Sequence, residues 1–206
     1  MPKHQGKLTF IEEARRKQIV EATIETIAAS GYLNASLAEI AKYADISKGV
    51  ISYHFDGKDD LIDETISTIL SDSYRYIKQH VNEAGDSMKD RLSSYIEASF
   101  DYMSQNRTQF VAMVDLWGSF PSFERKKEHN RVAYDPCRRH LMTILQPGQE
   151  LGEFGSFPAD TLASIIQASI DGIMLQWVFD PDSVDFNECK EEIVHIFATY
   201  TQHKEP

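Results

Sequence analysis

Apolar residues recur along this chain at intervals of three and four, the period of an α-helix that buries one face. Turn signals interrupt the pattern at Gly31, at Asp45 and at Asp56-Gly57. From Asp86 onward the chain shows neither strand alternation nor an internal repeat, only further helical periods between turns. The pattern therefore predicts an all-α protein.

Two capping signals mark the beginnings of the first two helices. Thr9 and Glu12 form a capping box, and the helix that follows is expected to end at Ser30, because Gly31 suits the position after a helix. Residues 36–39 form a second box, and apolar residues then recur over two turns. The sequence thus predicts a long first helix and a short second one.

A third helix is expected directly after a tight turn at Asp45. Asp is one of the few residues other than Gly that tolerate left-handed dihedrals, and Ser47 can cap the helix that follows. The inward face of this helix is expected to hold Val50, Ile51 and Phe55, and its outward face Lys48, Gly49, Ser52, Tyr53 and His54. Two short helices about a tight turn, the second with small, polar and aromatic residues facing outward, are typical of a helix-turn-helix.

This stretch resembles the DNA-binding motif of TetR-family transcriptional regulators. The matching residues are Ser36, Ile40, Ala41, Ala44, Ile46, Ser47, Gly49, His54, Phe55, Lys58 and Leu61. Asp45 replaces the family's turn Gly, and Ser52 replaces a Tyr that commonly touches phosphate or a thymine methyl. The resemblance implies a three-helix DNA-binding domain over residues 1–57 and a helical effector-binding and dimerisation domain over residues 58–206.

The residues expected to contact DNA are Ser36, Lys48, Gly49, Val50, Ser52, Tyr53, His54 and Lys58. Lys48 would reach guanine acceptors and Val50 a thymine methyl, while Gly49 would let the backbone approach. The residues expected to fix the register on phosphates are Ser36, Tyr53, His54 and Lys58. Packing against the next helix is the alternative role for Tyr53 and His54.

Net charge argues against nucleic-acid binding until its distribution is considered. The chain of 206 residues carries a formal charge of −11. Residues 1–60 hold 8 basic and 9 acidic side chains, however, whereas residues 61–206 hold 13 and 23. The excess acid therefore lies outside the proposed DNA-binding part. The basic arm within residues 1–20 is modest, so binding is expected to need two half-sites at once and to weaken with salt.

The rest of the chain reads as further helices. One is expected to begin at Lys58 and end near His80 or Val81, a Gly-rich loop is expected over residues 147–158, and the last two helices are expected to begin at Pro158 and after Asp185. Within the last two helices, the Asp171-Gly172 pair, the ending from Trp177 to Pro181 and the capped start of the final helix resemble the C-terminal domain of the choline-responsive branch of TetR-like repressors. This resemblance implies no specificity for choline.

Aromatic and Met residues are frequent in the middle helices, and such a stripe is usually core. The family resemblance favours a pocket for a small, mostly apolar effector in this region, because Met and Trp side chains repack easily. The residues proposed to line it are Phe100, Met103, Phe110, Met113, Trp117, Phe123, Ile166 and Ile170. The residues proposed for a homodimer interface, a four-helix bundle about a two-fold axis, are Leu162, Ile173, Trp177, Ile193, Phe197 and Tyr200.

Several other classes of protein lack support in the sequence. It contains no nucleophile elbow, nucleotide fingerprint or metal-ligand cluster, so neither an enzyme nor a bound cofactor or metal is predicted. Glu97, Asp101 and Asp115 are expected to be solvated. Cys137 and Cys189 are interpreted as partly buried thiols. The apolar run over residues 165–179 is too short and too polar for a bilayer, so a cytoplasmic protein is expected.

These patterns together predict a dimeric transcriptional regulator on a pseudo-palindromic operator of double-stranded DNA. The family resemblance makes a repressor released by its effector the expected form. The alternative is a DNA-binding dimer that acts as a nucleoid or cell-division factor without effector control.

Overall fold

The computed structural model describes residues 9–120 and 122–202, which form nine helices and no strand. The helices are α1 (Phe10–Ser30), α2 (Leu37–Tyr43), α3 (Lys48–His54), α4 (Lys58–Glu83), α5 (Met88–Gln105), α6 (Arg107–Ser119), α7 (Phe123–Glu150), α8 (Ala159–Phe179) and α9 (Phe186–Gln202). The prediction of an all-α protein is confirmed.

The chain forms two compact units. The first comprises Met1–Ser71 together with Thr108–Pro121, and the second comprises Asp72–Arg107 together with Ser122–Pro206. Helix α4 contributes its first part to one unit and its last part to the other, and α6 returns to the first unit. The functional boundary between residues 57 and 58 stays a prediction, since the units are defined by packing alone.

Helix α1 begins and ends where the sequence predicts. The Thr9 N–H donates to Glu12 Oε2 at 2.8 Å and the Glu12 N–H donates to Thr9 Oγ1 at 3.3 Å, which completes the capping box. At the other end Gly31 has φ of 79°, and its N–H donates to the Ile27 carbonyl at 2.8 Å. Local hydrogen bonding therefore fixes both ends of this helix.

Helices α2 and α3 form the predicted helix-turn-helix. The Ser36 hydroxyl accepts from the Glu39 N–H at 3.2 Å at the start of α2. In the turn, Asp45 has φ of 52°, the one positive φ at a non-Gly residue in the described part of the chain. Left-handed backbone at this residue was the expectation from the sequence, and it is confirmed.

The first unit is built around one hydrophobic core to which five helices contribute. Its members are Ile19, Val20, Ala22, Ile24, Ile27, Ala35, Ile40, Ala41, Ala44, Ile51, Phe55, Leu61, Ile62, Ile66, Ile69, Ala112, Met113, Leu116 and Phe120. Helices α1, α2 and α3 supply the first part, and α4 and α6 supply the rest. The three N-terminal helices therefore do not complete their core alone.

The Gly-rich segment differs from the expectation of a loop over residues 147–158. Helix α7 continues through Pro147 to Glu150, so only the residues after Glu150 leave the helix. Phe154 folds back onto the end of α7: its N–H donates to the Gly148 carbonyl at 2.9 Å. A Cβ at Gly148 would lie 2.1 Å from Phe154 Cδ2, so only Gly fits here.

The last two helices begin close to the predicted residues, and α8 packs on α5, α7 and α9. Helix α8 begins one residue after Pro158, and the Asp185 carboxylate accepts from the Glu188 N–H at 2.9 Å at the start of α9. The buried residues of α8 are Leu162, Ala163, Ile166, Ile170, Met174 and Val178. By length and composition α8 is long and apolar enough to cross a membrane. This corrects the sequence-based expectation that the apolar run over residues 165–179 is too short for a bilayer. The core helix of a soluble protein meets the same criteria.

Candidate DNA-binding surface and effector region

The recognition helix α3 presents a polar outer face. Ile51 is fully buried and Phe55 is 3% exposed, whereas Lys48, Gly49 and Ser52 are exposed. Val50, assigned to the inward face by the sequence pattern, is only half-buried and is absent from the core. The inward assignment of Val50 is therefore corrected. Part of its side chain is accessible at the surface of α3.

The aromatic residues of α3 lie at its end. Tyr53 is 58% exposed and His54 is half-buried, and their rings meet edge to face with centroids 5.0 Å apart. Ser36 is exposed at the start of α2. None of the eight residues predicted to contact DNA is fully buried: five are exposed and Val50, His54 and Lys58 are half-buried. Their roles on DNA stay predictions.

Lys58 is held against the connection between α1 and α2. Its Nζ donates to the Tyr32 carbonyl oxygen at 2.6 Å and lies 4.0 Å from the centroid of the Tyr32 ring. Burial lowers the pKa of Lys58 below its usual value, and the charge of Asp59 opposes that effect. Because an ammonium group has three donors, Lys58 can keep the Tyr32 bond and still donate to a phosphate.

Asp115 corrects an expectation from the sequence, since its carboxylate is not merely solvated. Asp115 Oδ2 accepts from the Tyr32 N–H at 2.6 Å. The backbone of Tyr32 therefore donates to Asp115 in α6 and accepts from Lys58 in α4. Asp101 is corrected in the same way, because Lys190 Nζ lies 3.0 Å from its Oδ1. No periodicity signal reveals either bond, since the partners are 83 and 89 residues apart.

The residues proposed to line an effector pocket are divided between the two units. Met113 belongs to the core of the first unit, and Trp117 packs against that core. Phe123 is 77% exposed at the start of α7. In the second unit the members of the set are Phe100, Met103, Ile166 and Ile170, all buried. Phe110 is half-buried on α6, in the first unit. The proposed pocket and its lining stay predictions.

A partly buried polar cluster in the second unit was not predicted. Tyr95 Oη donates to Gln167 Oε1 at 2.9 Å, and Gln167 Nε2 donates to Asp171 Oδ1 at 3.0 Å. The Tyr134 hydroxyl also bonds the Asp171 carboxyl. Its signal in the sequence was the pair Gln167 and Asp171, four residues apart and next to the buried Ile166 and Ile170 of α8.

Burial governs the protonation of this cluster. Burial raises the pKa of Asp171 to about 7, although hydrogen bonds from Gln167 and Tyr134 oppose the rise. Burial and the Asp171 charge raise the pKa of Cys137 to about 11. His140, 8% exposed, has its pKa lowered by burial and then by Lys78, and its Nδ1 has no hydrogen-bond partner. A ligand group that donates or accepts a hydrogen bond would find partners here.

The residues proposed for the dimer interface mostly face inward. Leu162, Ile193 and Phe197 are between 3% and 8% exposed within their own unit, and the Trp177 ring stacks on Phe186 with centroids 4.3 Å apart. Ile173 is half-buried. The large apolar residues that α8 and α9 do leave exposed are Ile165, Leu175, Phe179, Ile196 and Tyr200, and only Tyr200 was in the predicted set.

Comparison with known proteins gives matches along most of the chain. Residues 19–65 match the family described as bacterial regulatory proteins, tetR family, and residues 88–202 match the BetI-type transcriptional repressor C-terminal family. A regulator named BetI from Burkholderia mallei is 33% identical over 85% of this chain and 87% of its own. These relatives are transcriptional regulators and not enzymes.

Solved structures agree with these matches. A putative transcriptional regulator from Pseudomonas aeruginosa PAO1 has a TM-score of 0.78 and 26% identity, over 91% of each chain. The regulator FadR from Bacillus subtilis, in complex with stearoyl-CoA, has a TM-score of 0.79 at 19% identity, over 89% of this chain and 98% of its own. The second likeness concerns the fold alone.

Proposed function

Because the chain belongs to the TetR family of transcriptional regulators, we propose that it is a homodimeric repressor which a small effector releases from a palindromic operator. The observation that carries this proposal is the recognition helix α3, which buries Ile51 and Phe55 and leaves Lys48, Gly49 and Ser52 exposed. A helix of this kind can enter a major groove while its inner side stays packed.

The proposed contacts follow from the position of each residue. Lys48 and Val50, in the first turn of α3, read base edges, and Gly49 between them lets the backbone approach. Ser36 at the start of α2, and Tyr53 and His54 at the end of α3, contact phosphates. Lys58 contributes a phosphate contact through an N–H of its ammonium group that does not bond the Tyr32 carbonyl.

We call the helix-turn-helix of one subunit, α2 and α3, its head. One head makes few base contacts, each worth about 1–3 kcal/mol of discrimination. Two heads are therefore needed for useful selectivity, and a two-fold dimer places them in successive major grooves about 34–36 Å apart. We propose that the dimer forms through the exposed apolar residues of α8 and α9, with Ile165, Phe179 and Ile196 as its main contacts. This revises the interface proposed from the sequence.

The effector is proposed to bind in the second unit. Its apolar part would lie among Phe100, Met103 and Ile170, and a polar group would meet the cluster at Asp171. The complex of FadR with stearoyl-CoA supports the idea that this fold can hold a ligand with a long apolar chain. We expect the protein to act in the cytoplasm, where its operator is.

Release would be a shift between two populations of the dimer, one competent for DNA and one with its heads out of register. A change from 99% competent to 1% needs the effector to prefer the second state by roughly 5.5 kcal/mol. Helix α4, which belongs to both units, is the proposed mechanical link.

Selection of bound duplexes from a random pool tests the proposal directly. We expect a palindrome with half-sites one helical turn apart. Mapping of bound sites in the genome should then give a few promoters, and sites spread over the whole genome would instead favour a nucleoid or cell-division factor. Failure to bind duplex DNA at low ionic strength would contradict both functions.

A further inference from the structure

We propose that Arg16 positions the recognition helix and joins it to α4. Arg16 lies in α1, and Nη1 donates to the carbonyl oxygen of His54, the last residue of α3, at 2.5 Å. Its Cζ lies 4.2 Å from the centroid of the Phe55 ring. Nη2 lies 3.3 Å from Glu64 Oε2 in α4. One guanidinium thus contacts the end of α3, the residue after it, and α4.

The chemistry of a helix end explains why a cation suits this place. The last carbonyls of a helix have no partner within the helix, and they carry the negative end of its dipole. Helix α3 has only seven residues, so its end groups are a large part of its hydrogen bonding. A planar guanidinium can serve the carbonyl and the carboxylate at once through separate nitrogens, which an ammonium on a single nitrogen does less well.

The other end of α3 makes Arg16 more important. Ser47, the N-cap residue, forms no side-chain hydrogen bond to the helix. The orientation of α3 therefore depends on the buried Ile51 and Phe55 and on the contacts at His54. Ser52 and Tyr53, two of the residues proposed to meet DNA, share the final turn with His54. A shift of this turn would move both of them relative to a groove.

Helix α1 holds α2 by the same means. Gln18, two residues after Arg16, donates from Nε2 to the carbonyl oxygen of Ala44, the C-cap residue of α2, at 2.9 Å. Two side chains of α1 therefore bind the ends of both helices of the helix-turn-helix. Arg16 also contacts α4, through its ion pair with Glu64.

The chain offers a matched control one residue away. Lys17 has the same charge as Arg16, but its side chain is 76% exposed and its ion pair is with Glu21 in its own helix at 3.8 Å. The variants Arg16→Gln and Lys17→Gln each remove one positive charge from α1. Only the first removes contacts with α3 and α4, so attraction to DNA and positioning of the helix can be separated.

The measurement is a specificity ratio. It is the dissociation constant for a random duplex divided by the dissociation constant for a duplex of equal length that the unchanged protein selects from a random pool. We expect Arg16→Gln to lower this specificity ratio about tenfold, which is less than the loss of one good base contact in each of the two subunits. Lys17→Gln should change it less than about twofold. Arg16→Lys should have a specificity ratio between those of Arg16→Gln and the unchanged protein. Glu64→Gln, which keeps Arg16 but removes the charge of its partner, should also give an intermediate ratio.

Equal ratios for Arg16→Gln and Lys17→Gln would overturn the proposal. So would a parallel loss of both affinities in proportion to the unfolded fraction, measured by circular dichroism, because that result indicates a purely structural role.

The inference rests on the proposed DNA binding, and a readout without DNA keeps the two distinguishable. Backbone amide chemical shifts of residues 52–54 in the free protein should change in Arg16→Gln and stay unchanged in Lys17→Gln. Unchanged shifts in both variants would contradict the role of Arg16 even if the protein binds DNA. Changed shifts in a protein that ignores duplex DNA would contradict the proposed function and leave the positioning role supported.

Discussion

At Asp45 a single residue adopts the left-handed backbone that lets α2 and α3 meet at their angle. Asp can tolerate this conformation because its short polar side chain can form local hydrogen bonds, whereas most other residues except Gly are penalised by about 1–2 kcal/mol. At Lys58 the structure adds a bond to Tyr32 that the sequence does not indicate. Each case ties one residue to the geometry of the head.

The division of roles between Lys48 and Lys58 gives a first prediction. Lys48→Ala should relax base preference at one position of the half-site, since it removes a base contact worth about 1–3 kcal/mol. Lys58→Ala should weaken binding to all sequences about equally and reduce the dependence of affinity on salt by about one ion per head. Binding assays on selected and random duplexes at several salt concentrations distinguish the two. Identical behaviour of the variants would show that the assignment of roles is wrong.

Asp171 gives a prediction about pH and stability. Its pKa is about 7 in the folded protein against a usual value of 3.8, so the folded state holds a proton that the unfolded chain releases between these values. The free energy of unfolding contributed by this group therefore falls as pH rises from about 4 to about 7, and stays low above that. Asp171→Asn should remove this fall.

Chemical denaturation from pH 5 to pH 8 measures the effect. The advantage of Asp171→Asn over the unchanged protein should grow with pH and level off above about pH 7. Each unit of pKa difference corresponds to about 1.4 kcal/mol, which sets an upper limit of a few kcal/mol. Asp182→Asn, at an exposed turn position, is the control and should show no such trend. A constant difference across the range would mean that Asp171 is ionised throughout.

Among the elements, α7 shows most clearly where sequence patterns stop. Pro147 and Gly148 are ordinary signals for a loop, and they predicted one. The helix continues because Gly148 gives Phe154 room to pack against it and because Gln149 Nε2 donates to the carbonyl oxygens of Gly155 and Phe157, at 3.0 and 3.1 Å. Contacts made after the turn thus decided the end of the helix.

The fit of Phe154 against α7 leads to a third prediction. Gly148→Ala should destabilise the protein by about 1–3 kcal/mol, the range for an added methyl group in a packed site, even though Ala usually favours a helix. Thermal unfolding measures this directly. Gly118→Ala in α6, where an added Cβ meets nothing within 4 Å, is the matched control and should be neutral or stabilising. Equal effects would mean that the ring of Phe154 moves aside without cost.

For the helices as a set, caps and periodicity predicted most of the boundaries. Thr9, Gly31 and Asp185 act through groups a few residues away, so their effects are visible in the sequence. The polar cluster around Asp171 and the bonds of Asp101 and Asp115 join residues that are distant in the chain. Patterns within one helix cannot show which other helix lies opposite.

For the whole molecule, the sequence predicted that α8 and α9 form a dimer interface, and that interface stays a prediction. Their broad apolar stripes include one side that packs within the unit and one that does not. Leu162 and Phe197 belong to the first side, whereas Ile165, Phe179 and Ile196 belong to the second. Hydrophobicity alone cannot divide a helix between its own core and a partner.

The exposed side gives the fourth prediction. Ile196→Lys should convert the dimer to a monomer, because an ammonium group would be buried without a partner at the interface, while the fold of the single chain should be unaffected at a residue that is 54% exposed. Analytical ultracentrifugation and binding to the selected duplex measure the two effects. Gln79→Lys, an equal charge change at an exposed residue of α4, should remain a dimer. A dimeric Ile196→Lys protein would place the interface elsewhere.

The core of the first unit draws Leu61, Ile62, Ile66 and Ile69 from α4 and Ala112, Met113, Leu116 and Phe120 from α6. A fragment cut after residue 57 would therefore leave the helix-turn-helix with an open apolar side and is expected to aggregate or unfold. Evolution and engineering face the same constraint: an exchange of DNA-reading heads between relatives must carry α6 along with the N-terminal residues, or change only the outward residues of α3. New operators are thus reached more readily by surface substitution than by recombination.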